Sequence, residues 1–376
     1  MIRILHSVSY LTRGGIETML MNYYRHIDRS KVQFDFLCNS YRKGAYDDEV
    51  LALGGKIFRS PGFNPLKYCQ YKCFMKKLFE EHPEYRVVEA HNDQLGRFAL
   101  KLAKDCGVPV RIFHAHSSML LFDYKWPIKY YCMKTLKYSV THHFICGLKA
   151  GEFYFGKDTI HSGNFNLIRN AIEVERFTYN ESVRNEMRKK YGLNDKKVIG
   201  LVANFVLAKN HPFLIDVFEK IKLINTDAFL VLVGGGPYMD KIKDLVKRKG
   251  LSESILFTGP VSNTNEWYQA FDLFLMPSLH EGLPVVGVEA QAADLPCIFS
   301  SEVTQEIKLS YKSQFLDLKI SAEEWAKRVN EVLMHLPERN NNYQLITDNG
   351  YNIKIEAQKL QDLYISLYKN PIAIHS

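Results

Sequence analysis

The stretch that decides the fold runs from residue 276 to residue 296 and reads MPSLHEGLPVVGVEAQAADLP. It begins at the last residue of the apolar run Leu273–Met276, which has the length and composition of a buried strand. Pro284 suits the first turn of a helix, because the N–H that proline lacks has no partner at that position. The stretch therefore predicts a strand, a loop and a helix over residues 285–293, the repeating unit of a parallel sheet covered by helices.

Two glutamates give this unit its chemical interest. Glu281 lies in the predicted loop, and Glu289 follows eight residues later on the predicted helix. A helix N-terminus offers free backbone N–H groups and a positive dipole end to an anion, while carboxylates accept hydrogen bonds from sugar hydroxyls. An ordinary strand–helix unit with a surface carboxylate would show the same two glutamates. With the flanking prolines, the pattern favours a site for a nucleotide sugar.

Strands and helices alternate along the whole chain. A first series begins with a strand over residues 2–8 and a helix over 16–26, and a second begins after Asn170 with a strand over 197–203 and a helix over 211–223. Two such series predict an α/β chain of two Rossmann-like domains facing a central cleft, with ligands at the carboxyl ends of the strands. The other predicted strands cover residues 34–38, 85–90, 110–113, 228–233, 255–257 and 297–299, and the other predicted helices cover 68–80, 94–106, 239–249 and 353–368.

Bulk composition narrows the class of protein. The chain has 376 residues, 46% hydrophobic and 24% charged, as in ordinary globular proteins. No apolar run reaches the ~18 residues of a membrane span, and we expect no secretory signal. Seven cysteines without regular spacing predict no disulfide framework. We therefore expect a cytoplasmic protein, with residues 337–342 as one short disordered stretch.

Positive charge is concentrated in the first half of the chain. Residues 1–175 hold 25 Lys and Arg against 17 Asp and Glu, whereas the rest holds 24 of each kind. A basic half indicates an anionic partner. Lysines interleaved with aromatic residues over 67–77 and 120–138 suit an anionic membrane surface, although a solvated helix face over an aromatic core has the same composition. No motif of a nucleic-acid-binding fold is visible, so we expect no nucleic-acid partner.

Residues 277–290 carry a resemblance to a known family. Their pattern, Pro-Ser-x-x-Glu-Gly-x-Pro followed by Glu-Ala, resembles that of the retaining GT-B glycosyltransferases of bacterial capsule, exopolysaccharide and lipopolysaccharide biosynthesis, the group 1 or family 4 type. The resemblance implies that Glu289 binds the ribose hydroxyls of the donor. It also implies that Glu281, with the backbone N–H groups of Gly282 and Leu283, holds the donor sugar.

Two positions depart from the family pattern. Asp294 stands where the family usually has Gly, which concerns a helix end. After the strand over 197–203, the family has an Arg and, five residues later, a Lys that together clamp the diphosphate. Lys209 matches, although a solvated loop lysine would look the same, and Asn204 stands in place of the Arg. Arg binds phosphate with two parallel hydrogen bonds and a charge that Asn lacks, so another group has to supply that charge.

The resemblance also implies further site residues. The family's active-site histidine matches His116, close to the donor sugar and the acceptor, and His114 is either a second site residue or a structural one. Gly14 and Gly15 would form the loop that covers the diphosphate. Gly236 would end the Gly-Gly-Gly-Pro turn beside the nucleotide.

Together these features predict a retaining transfer from a nucleotide-diphosphate sugar, with UDP favoured, to a hydroxyl of a glycan or lipid-linked glycan. We expect His116 and Glu281 to be catalytic and no cofactor or metal to be needed. The expected domains are an acceptor-side domain (1–168), a nucleotide-sugar-binding domain (169–350) and a last helix (351–376) that packs back on the first domain. We expect the protein to act in the cytoplasm, at the inner face of the plasma membrane. A sugar-nucleotide epimerase of the same fold and an inactive scaffold protein stay open as alternatives.

Overall fold

The structure is a computed structural model that describes residues 1–119 and 124–371. The chain divides into two compact units. The C-terminal unit is Ile172–Asn352, and the N-terminal unit comprises Met1–Ala171 and the segment from residue 353 onward. The boundaries expected after residues 168 and 350 lie within three residues of these divisions.

A parallel sheet of seven strands forms the centre of the N-terminal unit as far as it is described. The strands are β1 (Ile2–Val8), β2 (Val32–Cys38), β3 (Ile57–Arg59), β4 (Val87–Ala90), β5 (Val110–Ala115), β6 (His142–Ile145) and β7 (Asn166–Leu167). Their order across the sheet is β3-β2-β1-β4-β5-β6-β7. Its helices are α1 (Gly15–His26), α2 (Asp47–Ala52), α3 (Tyr68–Glu81), α4 (Gly96–Asp105), α5 (Trp126–Thr135), α6 (Leu148–Phe155) and α7 (Lys157–His161), joined by the last helix of the chain.

Helices cover both faces of this sheet, because consecutive residues of a strand point to opposite sides. Ile4 belongs to an apolar cluster with residues of α1 and of the last helix. Leu5, its neighbour in β1, belongs to a second cluster with residues of α3, α4 and α6. The interior strands, β2 and β4 above all, are buried on both faces, which explains their nearly continuous apolar sequences.

The last helix of the chain, α16 (Ile353–Lys369), belongs to the N-terminal unit. Ala357, Leu360 and Tyr364 recur at helical spacing and are buried in the cluster shared with α1 and β1. The Gln361 side chain accepts a hydrogen bond from the backbone N–H of Asp28 at 2.9 Å. The helix thus packs back on the first domain, as the sequence predicts.

The C-terminal unit repeats the same architecture on a six-stranded parallel sheet. The strands are β8 (Lys197–Val202), β9 (Ala228–Val233), β10 (Ile255–Gly259), β11 (Leu273–Met276), β12 (Cys297–Ser300) and β13 (Ser313–Leu316), in the order β10-β9-β8-β11-β12-β13. The helices are α8 (Val174–Phe177), α9 (Glu181–Lys190), α10 (His211–Ile224), α11 (Met239–Arg248), α12 (Thr264–Ala270), α13 (Val285–Ala292), α14 (Ala322–Met334) and α15 (Tyr343–Asp348). Because β8 and β11 are neighbours, the loops after them leave the same edge of the sheet.

The expected disorder over residues 337–342 is wrong. The guanidinium of Arg339 donates hydrogen bonds to the backbone carbonyls of Ala293, Gln269 and Phe271, at distances of 2.6–3.1 Å. Polar composition suggested a solvated stretch, but Arg339, together with hydrogen bonds from Asn340 and Asn342, ties this irregular segment to the ends of two helices. The sequence prediction also left out strand β6 and the edge strands β3, β7 and β13, which are too short or too polar to show a strand pattern.

Candidate active site

Two loops of the C-terminal unit meet at the carboxyl ends of β8 and β11. Lys209 in the first loop forms an ion pair with Glu281 in the second, through Nζ and Oε1. The backbone N–H of Leu279 donates to the carbonyl of Ala208 at 2.8 Å, so the backbones are joined as well. The two charged side chains are only 18% and 13% exposed. The structure therefore brings together two residues that the sequence placed in separate motifs.

The helix N-terminus expected beside Glu281 is present. Helix α13 begins at Val285, directly after Pro284, and no side chain caps it. Among the described residues, no protein group accepts a hydrogen bond from the backbone N–H of Gly282 or of Leu283. Two free N–H groups and a positive dipole end can bind an anionic oxygen at this point.

Glu289 lies in the second turn of α13 and is half-buried. The hydroxyl of Tyr268 in α12 donates to its Oε2 at 2.7 Å. Burial raises the pKa of Glu289 from 4.5 to about 7, and the hydrogen bond from Tyr268 opposes that rise. Near neutral pH this carboxyl group therefore exchanges between its charged and neutral forms, and Tyr268 favours the charged form.

The glycine turn after β9 supports the loop that carries Asn204 and Lys209. Gly234 and Gly236 have φ values of +135° and +149°. A Cβ atom at Gly236 would lie 2.8 Å from the backbone N and O atoms of Phe205. Glycine is required here because the turn packs directly on the neighbouring backbone. Asn204 itself is exposed at the end of β8.

Asp294, the departure at the end of α13, has a structural reason. Its φ of +54° lies in the left-handed region, which Asp tolerates better than most residues. Its carboxylate binds the Nζ of Lys312 at 2.7 Å, the backbone N–H of Asn340 at 2.6 Å and the Nδ2 of Asn342 at 2.8 Å. Asp294 and Lys312 are both buried, so the change from Gly serves an internal ion pair rather than the donor.

The N-terminal unit places both predicted histidines at the end of β5. His116 is partly exposed, and its Nε2 lies 2.9 Å from Nδ1 of His91. His114 is buried, and its Nδ1 lies 2.8 Å from Oε1 of Glu89. The two rings stack with centroids 4.1 Å apart. The backbone carbonyl of His116 accepts a contact from Sγ of Cys146 at 3.6 Å.

Burial keeps these imidazoles neutral at pH 7. It lowers the pKa of His116 and of His91 well below 6.5, and it lowers the pKa of His114 to about 3. Neighbouring histidines add to the effect on His116 and His91, since a second positive charge nearby is unfavourable. Each ring therefore has one N–H and one bare nitrogen.

The histidine cluster also has the residue types of a metal site. One nitrogen each from His91, His114 and His116 lies within 4.8 Å of the others. A tetrahedral metal with Zn–N bonds of ~2.0–2.1 Å would hold its nitrogens about 3.3 Å apart. The 2.9 Å between His91 and His116 is instead a hydrogen-bond distance. The cluster is arranged for hydrogen bonding, and a metal would have to open this pair.

The first glycines take ordinary backbone conformations. Gly14 has a φ of −79° at the start of α1, and a Cβ atom at Gly15 would meet nothing within 4 Å. No conformational strain or internal packing therefore explains glycine at position 15. The open space beside it is what a loop covering a ligand needs.

The two basic-aromatic segments differ in the structure. In residues 67–77 the lysines are exposed but Tyr71 is buried in the core. In residues 124–138 the tyrosines themselves are exposed, with Tyr124 at 87% and Tyr138 at 62%. Positions 120–123 of the predicted segment lie outside the described residues. Across the described parts of the chain, no helix is both long enough and apolar enough to cross a membrane.

The sequence prediction missed several residues that contact the predicted site residues or their neighbours. Tyr268 lies in an unremarkable helix, and Tyr364, whose hydroxyl donates to Oε2 of Glu89, comes from the other end of the chain. Glu89 and His91 stand at the end of the predicted strand over 85–90, next to the strand that carries His114. The rule that neighbouring parallel strands end at the same edge would have placed this pair beside His114, but the sequence prediction did not include it.

Two α/β units, each built on a parallel sheet, with these loops after the strands, define the class of protein, a GT-B enzyme. The family described as "Glycosyl transferases group 1" matches residues 183–346. EpsF of Bacillus subtilis (strain 168), described as a glycosyltransferase, is 37% identical over 312 residues, which cover 81% of this chain and 80% of that protein. The chain belongs to the group 1 glycosyltransferases, and it is a transferase.

A second relative and a solved structure extend the likeness to the whole chain. The capsular polysaccharide biosynthesis glycosyltransferase CapH of Staphylococcus aureus is 25% identical over 376 residues, covering 97% of this chain and 99% of CapH. The crystal structure of HepE from Anabaena in complex with UDP-glucose has a TM-score of 0.78 at 17% identity. It covers 98% of this chain and 100% of that one, which shows that the fold is shared throughout.

Proposed function

We propose that the protein transfers a sugar, with retention at the anomeric carbon, from a UDP-sugar to a hydroxyl of a glycan or lipid-linked glycan in cell-surface polysaccharide synthesis. The observation that carries the proposal is the joined pair of loops in the C-terminal unit. It places Lys209, Glu281 and the free N–H groups of Gly282 and Leu283 at one edge of one sheet. Glu289 stands on the helix that follows.

The chemistry of each group supports a role in donor binding. The diphosphate leaving group gains negative charge as the glycosidic bond breaks, and preorganised N–H groups and a lysine stabilise that charge. Lys209 is neutralised by Glu281 in the free protein. We propose that the diphosphate takes over Lys209, which frees Glu281 for the sugar hydroxyls. This exchange supplies part of the charge that Asn204 lacks, and no metal is needed.

UDP is favoured because HepE, which shares the fold, was solved with UDP-glucose. The role in polysaccharide synthesis follows the description of CapH. Neutral His116 is proposed to act beside the donor sugar, either through its ring or through its backbone carbonyl. Gly14, Gly15 and Gly236 are proposed to shape the loops around the diphosphate.

Calorimetry of UDP binding tests the donor site. Lys209→Ala and Glu289→Ala should each weaken binding about tenfold or more, the effect of losing one charged hydrogen bond. Lys249→Ala is the matched control, because Lys249 also pairs with a carboxylate of the same unit, Glu219, at 2.7 Å. UDP binding that is unchanged in both site variants would show that the donor site is misplaced.

Product analysis tests the reaction. Incubation with UDP-sugar and a lipid-linked glycan should give a new glycoside of retained anomeric configuration, whereas an epimerase would convert the donor without any acceptor. Transfer should survive a chelator. Activity that stops in chelator and returns only with a divalent ion would contradict metal independence.

We also propose that residues 124–138 touch the inner face of the plasma membrane. Exposed tyrosines beside lysines fit an anionic interface, where the rings enter the headgroup layer and the ammonium groups bind lipid phosphate. Tyr124→Ser with Tyr138→Ser should reduce sedimentation with phosphatidylglycerol vesicles. Tyr311→Ser is the control, since Tyr311 is 86% exposed but lies in the C-terminal unit. Equal loss in the control, or no loss in the double variant, would refute this surface.

A further inference from the structure

A buried chain of hydrogen bonds ends at His116. Its Nε2 lies 2.9 Å from Nδ1 of His91, and Nε2 of His91 lies 3.1 Å from Nδ1 of His6. His6 is fully buried in β1, and His91 is buried after β4. Three imidazoles from neighbouring strands thus form one wire, here called the histidine wire, with His6 at its inner end and His116 at its partly exposed end.

The wire has only two states when its rings are neutral. A neutral imidazole has one N–H, so His91 donates from one nitrogen and accepts at the other. If His6 donates to His91, then His91 donates to His116, whose proton is then on Nδ1. If His91 donates to His6, the proton of His116 is on Nε2. The tautomer of His116 is therefore set two hydrogen bonds away.

The inner end of the wire selects between these states. Nε2 of His6 is buried and has no hydrogen-bonding partner among the described residues, while its Nδ1 has one. A buried N–H without an acceptor is rarer in proteins than a buried acceptor without a donor, so the proton belongs on Nδ1. The same rule applies to His114, whose bare Nε2 is buried and whose Nδ1 donates to Glu89.

Glu89 does not reverse this choice. Its Oε1 lies 3.5 Å from Nε2 of His91, and its Oε2 lies 3.9 Å from Nδ1 of His6. The proton between Nδ1 of His6 and Nε2 of His91 is therefore near the carboxylate in both states. Tyr364 of α16 donates its hydroxyl hydrogen to Oε2, and His114 donates to Oε1. Burial raises the pKa of Glu89, but the donated hydrogen bonds favour its ionised form, in which both oxygens accept.

We infer that His6 is a positioning residue that holds His116 as the Nδ1–H tautomer, so that His116 presents a hydrogen-bond donor rather than a lone pair. The inference about catalysis rests on the proposed function, in which His116 acts beside the donor sugar. A fixed donor orients a sugar hydroxyl or a phosphate oxygen. The backbone carbonyl of His116, rather than its ring, then offers the lone pair that stabilises a positively charged anomeric centre.

The wild-type protein tests the wire directly. Two-dimensional ¹⁵N–¹H spectra of histidine rings distinguish a protonated from a bare nitrogen, and His116→Gln identifies the signal. His116 should show a protonated Nδ1 and a bare Nε2 at pH 7. The opposite tautomer would overturn the inference without any further variant.

His6→Phe should reverse the wire. The ring of His6 packs against Phe34 and Phe36, with centroids 4.3 and 5.7 Å apart, so phenylalanine fits the pocket. Without its donor, His91 takes its proton on Nε2 beside Glu89, and His116 becomes the Nε2–H tautomer. His143→Phe is the control, because His143 also packs on an aromatic ring, Phe155, at 4.1 Å, outside the wire.

Kinetics separate the wire from the proposed function. With the tautomer reversed, kcat should fall about tenfold, the effect of one hydrogen bond, while KM for the donor stays within twofold. A reversed tautomer with unchanged kcat would uphold the wire and refute the role of His116 in catalysis. An unchanged tautomer in a folded His6→Phe protein would refute the wire, whatever the activity.

Discussion

Replacing Tyr268 by Phe is the sharpest test of Glu289 as a ligand of the donor ribose. The change removes one hydroxyl and keeps the buried ring. That hydroxyl donates to Oε2 of Glu289 at 2.7 Å and lowers the pKa of a carboxyl that burial has raised to about 7. The ionised carboxylate is the better acceptor for ribose hydroxyls. UDP affinity should therefore follow the ionised fraction of Glu289.

The size of the change in UDP affinity follows from the strength of the hydrogen bond between Tyr268 and Glu289. A hydrogen bond to a charged group contributes about 1.5–3 kcal/mol, and about 1.4 kcal/mol corresponds to one pKa unit. The variant should therefore raise the pKa of Glu289 by about one to two units. At pH 7 its ionised fraction falls from about one half to between about 10% and 1%. UDP affinity at pH 7 should fall by about 5- to 50-fold.

Calorimetry from pH 6 to pH 9.5 measures this shift. In the wild-type protein the affinity should decrease as the pH falls through about 7, since a raised carboxyl pKa means loss of charge below it. The variant should show the same decrease at higher pH, and the two curves should converge in alkali. Tyr343→Phe is the control, because its hydroxyl bonds Asn352 in the same unit. Equal affinities at pH 7, or one common midpoint, would refute the reasoning.

Three further predictions concern stability and loop shape. The folded chain keeps His6 and His114 neutral down to pKa values of about 4 and about 3, whereas the unfolded chain protonates them near 6.5. The free energy of unfolding, measured in urea, should therefore fall between pH 6.5 and pH 4 by about 3 kcal/mol per histidine. The raised pKa of the buried Glu89 beside them offsets part of this loss. A free energy of unfolding that does not change with pH would contradict this prediction. Asp294→Gly leaves a buried lysine unpaired and should cost about 3 kcal/mol, measured as a lower melting temperature, while UDP binding is retained. Gly236→Ala should abolish UDP binding, whereas Gly235→Ala, where a Cβ atom would lie 3.3 Å from the side chain of Pro260 and meet no backbone atom, should bind normally. Equal behaviour of the two variants would show that the turn does not support the loop that carries Asn204 and Lys209.

The sequence predicted the repeating strand–helix units well, because long apolar strands and amphipathic helices carry their pattern locally. The strands Ile2–Val8, Ala228–Val233 and Leu273–Met276 have the predicted bounds. Short or polar strands, such as β6 and the edge strands β3, β7 and β13, lack such a pattern. The prediction for residues 337–342 was wrong for a related reason, since Arg339, Asn340 and Asn342 order them through acceptors that are distant in the sequence.

The candidate site likewise has a part that the sequence predicts from one local motif and a part that depends on contacts between distant segments. Glu281 and Glu289 stand on one unit and follow from one motif. The ion pair between Glu281 and Lys209 depends on two strands that are neighbours in the sheet but distant in the sequence. The histidine wire depends on three strands, and its polarity depends on a nitrogen that has no partner, which no sequence pattern reveals.

The return of α16 to the N-terminal unit makes the C-terminal unit an insertion within the first one. During synthesis the ribosome delivers all of Ile172–Asn352 before the helix that completes the N-terminal core. Until then, Glu89 lacks the hydroxyl of Tyr364, and the apolar surface of α1 that α16 covers is open. We expect the C-terminal unit, in which we propose that the nucleotide sugar binds, to fold first and to be protease-resistant in nascent chains. The N-terminal unit, although made earlier, should become resistant only once α16 has been synthesised.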